Sequence, residues 1–454
     1  MPQKRHFRSQ DASLWQSAAD QVISKSSAGR ALDVGGPVAP QPADPHTPEM
    51  AAVDEIAAAV DSESAVPQPS ESLDARTQGV TDVAKFCATA AFQLARAKAK
   101  QILTGDDSEV KKFQAELGAP FGTCDVRWSE CIAEYIRNKT NQQPIPYRRY
   151  SKLSDFVIEG PLGAAARVAL VGDWGTGDAT AKLLLRQVAQ KQPDVVIHLG
   201  DVYYSGTDHE FQNYFYNIWQ NMFGLPVVNP GGKPNGVSKP ATFTLAGNHD
   251  MYAGGQPYYN AIDMLGQPAS YFCLRNANWQ FIAMDTGLHD NNPTGASVTF
   301  LEDTEVAWIK DKMQTANGRK TVLLSHHQLF TTFESIGADG NRVNPKLQAQ
   351  LQDVLPEVTV WYWGHEHDFV VYPKFMNVLA RCIGHGAVPV GFNQLGAADP
   401  KVPFQPIRLA VDSDGGLLQH GYAIMDLNGP SATVTHYTFD SVSQDEDVIF
   451  TENF

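Results

Sequence analysis

The stretch ARVALVGDWG at residues 166–175 decides the fold class of this 454-residue chain. Its apolar part has the length and composition of a buried strand, and Gly172 and Asp173 follow directly after it. Four later stretches share this design: DVVIHLGDVYY at 194–204, ATFTLAGNHD at 241–250, KTVLLSHH at 320–327 and VTVWYWGHEH at 358–367. The pattern predicts strands that each deliver polar side chains at their carboxyl ends.

Helical patterns alternate with these strands. Apolar spacing predicts helices at 181–190, 210–222, 304–314 and 346–355, and a further buried strand at 279–284. Two alternating segments at 420–427 and 431–439 are expected to form an antiparallel pair on a sheet edge. Short strands that alternate with helices are typical of a layered α/β domain.

Changes in composition divide the rest of the chain. Residues 1–75 are rich in Ala, Ser and Pro, so we predict a disordered tail. Residues 76–145 carry helical spacing and predict a helical module, which we expect to pack on the main domain rather than act as a partner-binding arm. A proline-marked linker is predicted at 142–153, and the main domain at 160–445.

Composition disfavours several classes of partner and site. Fifty acidic and 35 basic residues give a net charge of -15, which repels nucleic acid and anionic lipid. Five scattered cysteines without a CxxC pair indicate neither a disulfide framework nor a thiolate metal site. No signal peptide or stretch of ~20 apolar residues is seen, so we expect a cytoplasmic protein. The oligomeric state is not indicated.

The polar groups at the strand ends predict a metal site. Carboxylates, an amide and imidazoles arriving from five strands suit hard or borderline cations such as Mn, Fe and Zn. Six or seven donors are too many for one tetrahedral ion and suit two ions that share a carboxylate. Such a pair can activate water and neutralise phosphoryl oxygens, so phosphoester hydrolysis follows.

The ordered set GD, GDxxY, GNHD, a strand ending in His, and GHxH resembles the calcineurin-like metallophosphoesterases over residues 166–440. Gly175 and Tyr204 resemble the purple acid phosphatase branch in particular, where glycine replaces a histidine ligand and a tyrosine takes its place. The β-sandwich N-terminal domain of the plant enzymes has no counterpart here. The resemblance implies a four-layer α/β/β/α sandwich, here preceded by the helical module.

The same resemblance implies a role for each polar residue. Two metal ions, Fe with Fe, Zn or Mn, would be held in two groups bridged by Asp201. The first group is Asp173, Asp201, Tyr204 and His367, and the second is Asp201, Asn248, His326 and His365. His249 would be the proton donor or phosphoryl stabiliser, and Asp250 would orient it.

Several choices stay open at the level of sequence. His327 adjoins His326 and competes with it as ligand, while Tyr203 and Tyr204 point to opposite sides of an extended chain and the spacing favours Tyr204. His198 lies within an apolar run and is expected to be a core residue. Three residues beside the motifs could line the substrate pocket, but a place in a solvated loop is at least as compatible with the sequence: Tyr252, His289 and His385.

The function that these residues predict is hydrolysis of a phosphomonoester, with a metal-bound hydroxide attacking phosphorus. The substrate is expected to be a small-molecule or protein phosphoester. A phosphodiesterase of the same fold is the first alternative. The second is a non-catalytic scaffold of this fold with a partner-binding N-terminal segment.

Overall fold

The computed structural model describes Ser108 and residues 144–203, 205–224, 240–290, 298–337, 341–388, 390, 398–413 and 417–454. The predicted tail at 1–75 and nearly all of the predicted module at 76–145 lie outside the described residues. Residues 145–291 and 296–454 form one compact unit. No helix in the described part is long and apolar enough to cross a bilayer.

The strands of this unit are numbered in chain order. They are β1 (Val157–Glu159), β2 (Arg167–Val171), β3 (Val195–His198), β4 (Ala241–Thr244), β5 (Phe272–Arg275), β6 (Trp279–Ala283), β7 (Lys320–Leu324), β8 (Val358–Trp363), β9 (Phe369–Phe375), β10 (Val378–Ile383), β11 (His420–Asn428), β12 (Ser431–Phe439) and β13 (Glu446–Asn453). All six strands predicted for the body of the domain are present at their expected positions.

The helices connect these strands. They are α1 (Ala179–Gln190), α2 (Asp208–Glu210), α3 (Asn217–Phe223), α4 (His249–Tyr252), α5 (Gln256–Leu265), α6 (Asp303–Gln314) and α7 (Pro345–Leu351), with a 3-10 turn at Leu355–Glu357. The helix predicted at 210–222 contains a π-helical stretch, Phe211–Tyr216, between α2 and α3. Thr207 and Glu210 form a capping box that starts this region.

Two β-sheets contain all thirteen of these strands. The first has the order β1-β5-β6-β7-β8-β10-β9 and the second the order β13-β12-β11-β2-β3-β4. Strands β2, β3 and β4 run parallel, as do β6, β7 and β8. Parallel neighbours need crossover connections, and helices provide most of them here.

The alternation of side chains shows how the layers pack. On β2, Val168 and Leu170 enter a core shared by both sheets, whereas Ala169 and Val171 face a second core under α1 and α3. On β8, alternate residues divide in the same way between the shared core and a third core under α6 and α7. Two sheets face to face with helices outside make the four-layer α/β/β/α sandwich, which confirms the predicted fold class.

Glu452 joins the two sheets through a buried polar network. It lies on β13 of one sheet and accepts hydrogen bonds from Arg381 Nε on β10 of the other, at 2.9 Å, and from Tyr362 on β8, at 3.3 Å. His436 Nε2 on β12 is also 3.3 Å from Glu452. The carboxylate thereby fixes the register of an edge strand against the opposite sheet.

The C-terminal strands differ from the prediction. β11 and β12 form the expected antiparallel pair, but β11 lies inside the sheet because it also pairs with β2. The edge is formed by β13, whose mixed sequence EDVIFTEN lacks a clear strand alternation. The main domain thus continues past residue 445.

The predicted linker at 142–153 also belongs to the packed unit from residue 145 onward. Tyr147 stacks on Tyr271 with ring centroids 5.7 Å apart and donates a hydrogen bond of 2.9 Å to Glu305. Arg148 forms an ion pair with Asp263 at 2.8 Å. The prolines marked an irregular backbone, but the tyrosine and arginine side chains give this segment specific contacts.

Candidate metal centre

The carboxyl ends of five strands meet at one place. β2, β3 and β4 belong to one sheet and β7 and β8 to the other, and the loop after each carries one of the predicted motifs. Backbone hydrogen bonds hold these loops together: Gly175 N donates to Asp201 O at 3.2 Å, and Gly364 N donates to His326 O at 3.0 Å. The two sheets therefore contribute to a single cluster.

Three predicted ligands have strained backbones. Asp173, Asp201 and His365 have φ values of 53°, 75° and 65°. A residue other than glycine in this region costs about 1–3 kcal/mol and persists where the surrounding structure imposes it. Such strain is concentrated at functional sites.

Two glycines allow the carboxylates to lie against the backbone. A Cβ on Gly247 would collide with the carboxylate of Asp201, and a Cβ on Gly364 would collide with that of Asp173. Glycine is the residue that leaves room for such a close approach. These contacts explain why a glycine stands in both the GNHD and the GHEH motifs.

The first group of donors surrounds Asp173. Its Oδ1 accepts a hydrogen bond of 2.9 Å from the hydroxyl of Tyr203, and His367 Nε2 lies 3.2 Å away. The Tyr203 hydroxyl is also 2.9 Å from His367 Nε2. The other carboxylate oxygen of Asp173, Oδ2, accepts a hydrogen bond of 2.9 Å from the backbone N–H of His365. This arrangement leaves Oδ1, the phenol and the imidazole directed at one point.

The second group surrounds Asn248. Its Oδ1 lies 3.1 Å from His326 Nε2 and 3.1 Å from His365 Nδ1, and these two nitrogens are 3.3 Å apart. Asp201 Oδ2 is 3.3 Å from His326 Nε2. The amide nitrogen of Asn248 donates to the hydroxyl of Tyr252 at 2.5 Å, which turns Oδ1 toward the imidazoles.

The spacing of these donors fits first-row cations. For ligands about 2.1 Å from an octahedral ion, neighbouring donor atoms lie about 3.0 Å apart. The donor pairs of both groups are separated by 2.9–3.3 Å. Ligand atoms of Asp173, Asp201 and His326 also fall within 4.8 Å of one another. The residues of this cluster therefore have donor spacings that suit the binding of first-row cations.

His326, rather than its neighbour, has a free nitrogen directed at this cluster. Its Nδ1 lies 3.0 Å from the carbonyl oxygen of Leu199, so Nδ1 carries a proton and Nε2 is the ring nitrogen left for a metal ion. Both nitrogens of His327 have other partners at 3.0 Å, Thr286 Oγ1 and Asp290 Oδ2. The nitrogens of both histidines and His365 are close enough to share an ion, but the hydrogen bonds favour His326.

Tyr204, the predicted tyrosine ligand, lies outside the described residues, and its assignment stays a prediction. The hydroxyl that lies between Asp173 and His367 belongs to Tyr203. The spacing from Asp201 favours Tyr204, and an extended chain would let only one of the two tyrosines face the site. The positive φ of Asp201 turns the backbone there, so a count of residues does not fix which tyrosine enters the site.

Gly175 is packed against the loop that carries this tyrosine. A Cβ at this position would lie 2.5 Å from Asp201 O and 2.7 Å from Val202 Cα, so no side chain fits without a shift of backbone. Tyr203 N donates to Gly175 O at 2.9 Å. Gly175 therefore packs directly against the segment that carries Tyr203, and a side chain at Gly175 would displace this segment.

His249 stands beside the shared carboxylate. Its Nε2 is 4.0 Å from Asp201 Oδ2, and its ring lies between those of Tyr203 and Tyr252, with centroids 4.6 and 4.9 Å away. The side chain is almost fully buried. The two aromatic rings fix the plane of the imidazole, which suits a group that must deliver a proton in one direction.

Asp250, which is predicted to orient His249, accepts hydrogen bonds from the backbone of two loops. Its carboxylate accepts three backbone N–H groups, from Asp201 at 2.9 Å, Val202 at 2.8 Å and Gly247 at 2.8 Å. Burial and the charge of Asp201 raise the pKa of Asp250 to about 8 against these donors. Asp250 thus joins the GDVYY and GNHD loops.

The charges of the cluster are strongly coupled. Burial lowers the pKa of His326, but the carboxylates of Asp201 and Asp173 outweigh it and raise the pKa to about 9. Burial and the neighbouring imidazoles hold the pKa of His365 well below its usual range. A convergent set of acceptors in a buried site needs a compensating positive charge, which a proton on His326 or a metal ion can supply.

The remaining histidines and tyrosines divide as follows. His198 is fully buried and bonded to Thr244 Oγ1 at 3.0 Å, as expected for a core residue. Tyr252 contacts both Asn248 and His249, a role for which its position after the GNHD motif was the only signal. His289 pairs with Glu302 at 2.8 Å, and His385 is buried beside Phe369.

Some solved structures have a distant similarity to this chain. GAP50, the anchor in the inner membrane complex of Plasmodium, is 16% identical, with a TM-score of 0.42, over 63% of this chain and 87% of that chain. A dimetal phosphatase from Danio rerio is 12% identical, with a TM-score of 0.39, over 63% of this chain and 98% of that chain. Curated protein sequences give no significant match.

One family model matches the chain, and it covers β2 to the start of β9. Residues 166–369 match the family described as calcineurin-like phosphoesterase. This range contains all five motifs whose loops form the cluster, and the surrounding layers have the corresponding α/β arrangement. Residues 166–369 are therefore similar to the calcineurin-like phosphoesterases in their motifs and in the order of their elements.

Proposed function

We propose that this chain is a dinuclear metal-dependent hydrolase of phosphomonoesters. The observation that carries the proposal is the pair of donor groups on either side of Asp201, each with separations of 2.9–3.3 Å. Asp173, Tyr203 and His367 would hold the first ion, and Asn248, His326 and His365 the second. Asp201 would serve both.

The bound ions would neutralise phosphoryl oxygens and activate water as the nucleophile. The chain's own contribution is orientation and proton transfer. His249 lies next to the shared carboxylate and is held between two tyrosine rings, and its imidazole would protonate the leaving oxygen. Asp250 keeps the two ligand loops in register by accepting their backbone N–H groups.

The donor set also limits the choice of metal. Imidazole, carboxylate and amide donors accept Fe, Zn and Mn, so the second position suits any of these ions. A phenol donor at the first position favours a strongly polarising cation, and ferric iron is the proposed occupant. Fe with Fe, Zn or Mn is therefore the proposed pair.

The proposed substrate is a small-molecule or protein phosphoester. The net charge of -15 supports this choice over nucleic acid, because binding of a polyanion requires phosphate-neutralising lysines and arginines. The resemblance of the motifs to phosphatases supports a monoester before a diester.

Metal analysis of the purified protein combined with a substrate panel tests the proposal. We expect about two first-row ions per chain and faster turnover of an aryl phosphate than of a bis-aryl phosphate. Faster turnover of the diester would support the proposal of a hydrolase but would change the proposed substrate from a monoester to a diester. A metal-loaded protein with no turnover of any phosphoester would instead favour a scaffold of this fold.

A further inference from the structure

One buried group behind the second set of donors has no part in the proposed reaction. His327 is 4% exposed and follows His326 directly. Its ring lies against the ring of His365, with centroids 4.4 Å apart and an angle of 40°. We propose that His327, fixed by Thr286 and Asp290, is a positioning residue that orients His365 as a ligand of the second metal ion.

His365 lacks the usual means of orientation. A histidine ligand ordinarily donates its second ring N–H to a carboxylate or carbonyl group, as His326 does toward Leu199 O. In the part of the chain that the structure describes, no hydrogen bond reaches Nε2 of His365. Its backbone is also in the left-handed region, with φ at 65°. The packed ring of His327 supplies the constraint that the hydrogen bond would otherwise give.

His327 itself is fixed at three points. Its backbone N–H donates to Thr286 Oγ1 at 3.0 Å, and the Thr286 hydroxyl is 3.0 Å from Nδ1 of the same histidine. When that hydroxyl donates to Nδ1, Nε2 carries the proton and donates to Asp290 Oδ2 at 3.0 Å. All polar groups of the ring are then satisfied, and one ring orientation is selected.

The loop that carries Thr286 and Asp290 is anchored in turn. Asp285 N donates to Glu305 Oε1 on α6 at 2.9 Å, and Asp285 Oδ1 accepts Leu288 N at 3.0 Å. A Cβ on Gly287 would lie 2.5 Å from Gly247 O, so the loop is pressed against the loop that carries Asn248. These contacts fix the loop that holds His327, and the ring of His327 in turn restricts the orientation of His365.

The test is a titration of the metal-free full-length chain with Mn²⁺ alone. Binding is measured by calorimetry and by the electron paramagnetic resonance signal of the Mn²⁺ pair. His327→Ala is expected to weaken the binding of the second ion by about 10–100-fold and to leave the affinity for the first ion unchanged. Asp290→Ala should give a smaller loss of the same kind. Asp290→Asn keeps an acceptor for Nε2 and should restore wild-type binding.

The matched control is His209→Ala, which removes an exposed histidine on α2. Equal weakening of both ions in His327→Ala and Asp290→Ala would show a general structural role, and unchanged binding of both would show no role; either result overturns the inference. If His327→Ala does not fold, the Asp290 pair decides the question. The inference rests on the proposed function, and wild-type protein that binds no Mn²⁺ contradicts that function instead.

Discussion

At the scale of single residues, the site depends on contacts that leave one donor atom free. His326 donates a hydrogen bond from Nδ1 to a backbone carbonyl group, and the side-chain amide of Asn248 donates one to the hydroxyl of Tyr252. In both cases one half of a side chain is anchored by the protein and the other half is directed at the cluster. Such anchoring lowers the reorganisation that ligand binding requires.

Tyr203→Phe and Tyr204→Phe separate the two candidate phenol ligands. Burial and the carboxylates of Asp173 and Asp201 raise the pKa of Tyr203, so only a strongly polarising ion would deprotonate it at neutral pH. With iron bound, we expect a visible phenolate-to-iron absorption band that Tyr203→Phe removes and Tyr204→Phe retains. Absorption spectra at matched iron content measure this, and the reverse pattern would restore the assignment to Tyr204.

His249→Ala tests proton transfer to the leaving group. The imidazole is buried beside Asp201 and held between two tyrosine rings, and general acid catalysis contributes about 10²–10⁴-fold. We expect a loss of this size in kcat for alkyl phosphates, whose leaving oxygen needs a proton, and a much smaller loss for nitrophenyl phosphate. Equal losses with both substrates and unchanged metal content would show that His249 does not act as the acid.

At the scale of elements, periodicity located the strands and helices well because each strand has one or two apolar faces that must be buried. It failed where contacts between distant side chains decide the structure. β13 has no strong alternation, yet Glu452 ties it to Arg381 across the sheets. Likewise, the motifs predict the polar residues of the cluster, but no sequence signal predicts the positive φ of Asp201 or the contact between the Tyr203 hydroxyl and Asp173.

Glu452→Gln tests the junction between the sheets. Burial raises the pKa of Glu452, but hydrogen bonds from His436 and Arg381 outweigh it and hold the pKa at about 2. Because this lies below the usual 4.5, the stabilisation is fully present above pH 4.5 and is lost as the pH falls toward 2. The difference corresponds to about 3 kcal/mol.

The variant should therefore be less stable than wild type at pH 7, and the gap should narrow as the pH falls below 4.5. Urea unfolding at several pH values measures both free energies. Asp447→Asn on the same edge strand is the control, since that side chain is exposed. A gap that does not change with pH would show that the charge of Glu452 contributes little.

At the scale of the whole molecule, the cluster joins two sheets that share one core. Asp173, Asp201 and Asn248 come from loops of one sheet and His326 and His365 from loops of the other. A bound ion would therefore cross-link the two halves of the sandwich, in addition to any catalytic role. Metal binding should raise the free energy of unfolding of the whole domain rather than of one loop.

The pH dependence of that effect has a definite sign. The pKa of His326, raised to about 9 by its neighbouring carboxylates, lies above the usual 6.5. In metal-free protein this proton contributes stability that is complete below pH 6.5 and is lost as the pH rises through 9, by about 3 kcal/mol. A metal ion takes the place of the proton and binds more tightly as the pH rises, since its ligands must be deprotonated.

The difference in melting temperature between metal-loaded and metal-free protein should therefore widen between pH 6.5 and pH 9. Thermal unfolding of the full chain with Mn²⁺ and after chelation measures this difference across the range. His326→Gln should have a flatter metal-free profile, because glutamine carries no titrating proton. If the metal-free melting temperature stays constant over this interval in both proteins, His326 does not carry the compensating charge, and the acceptors of the cluster are balanced elsewhere.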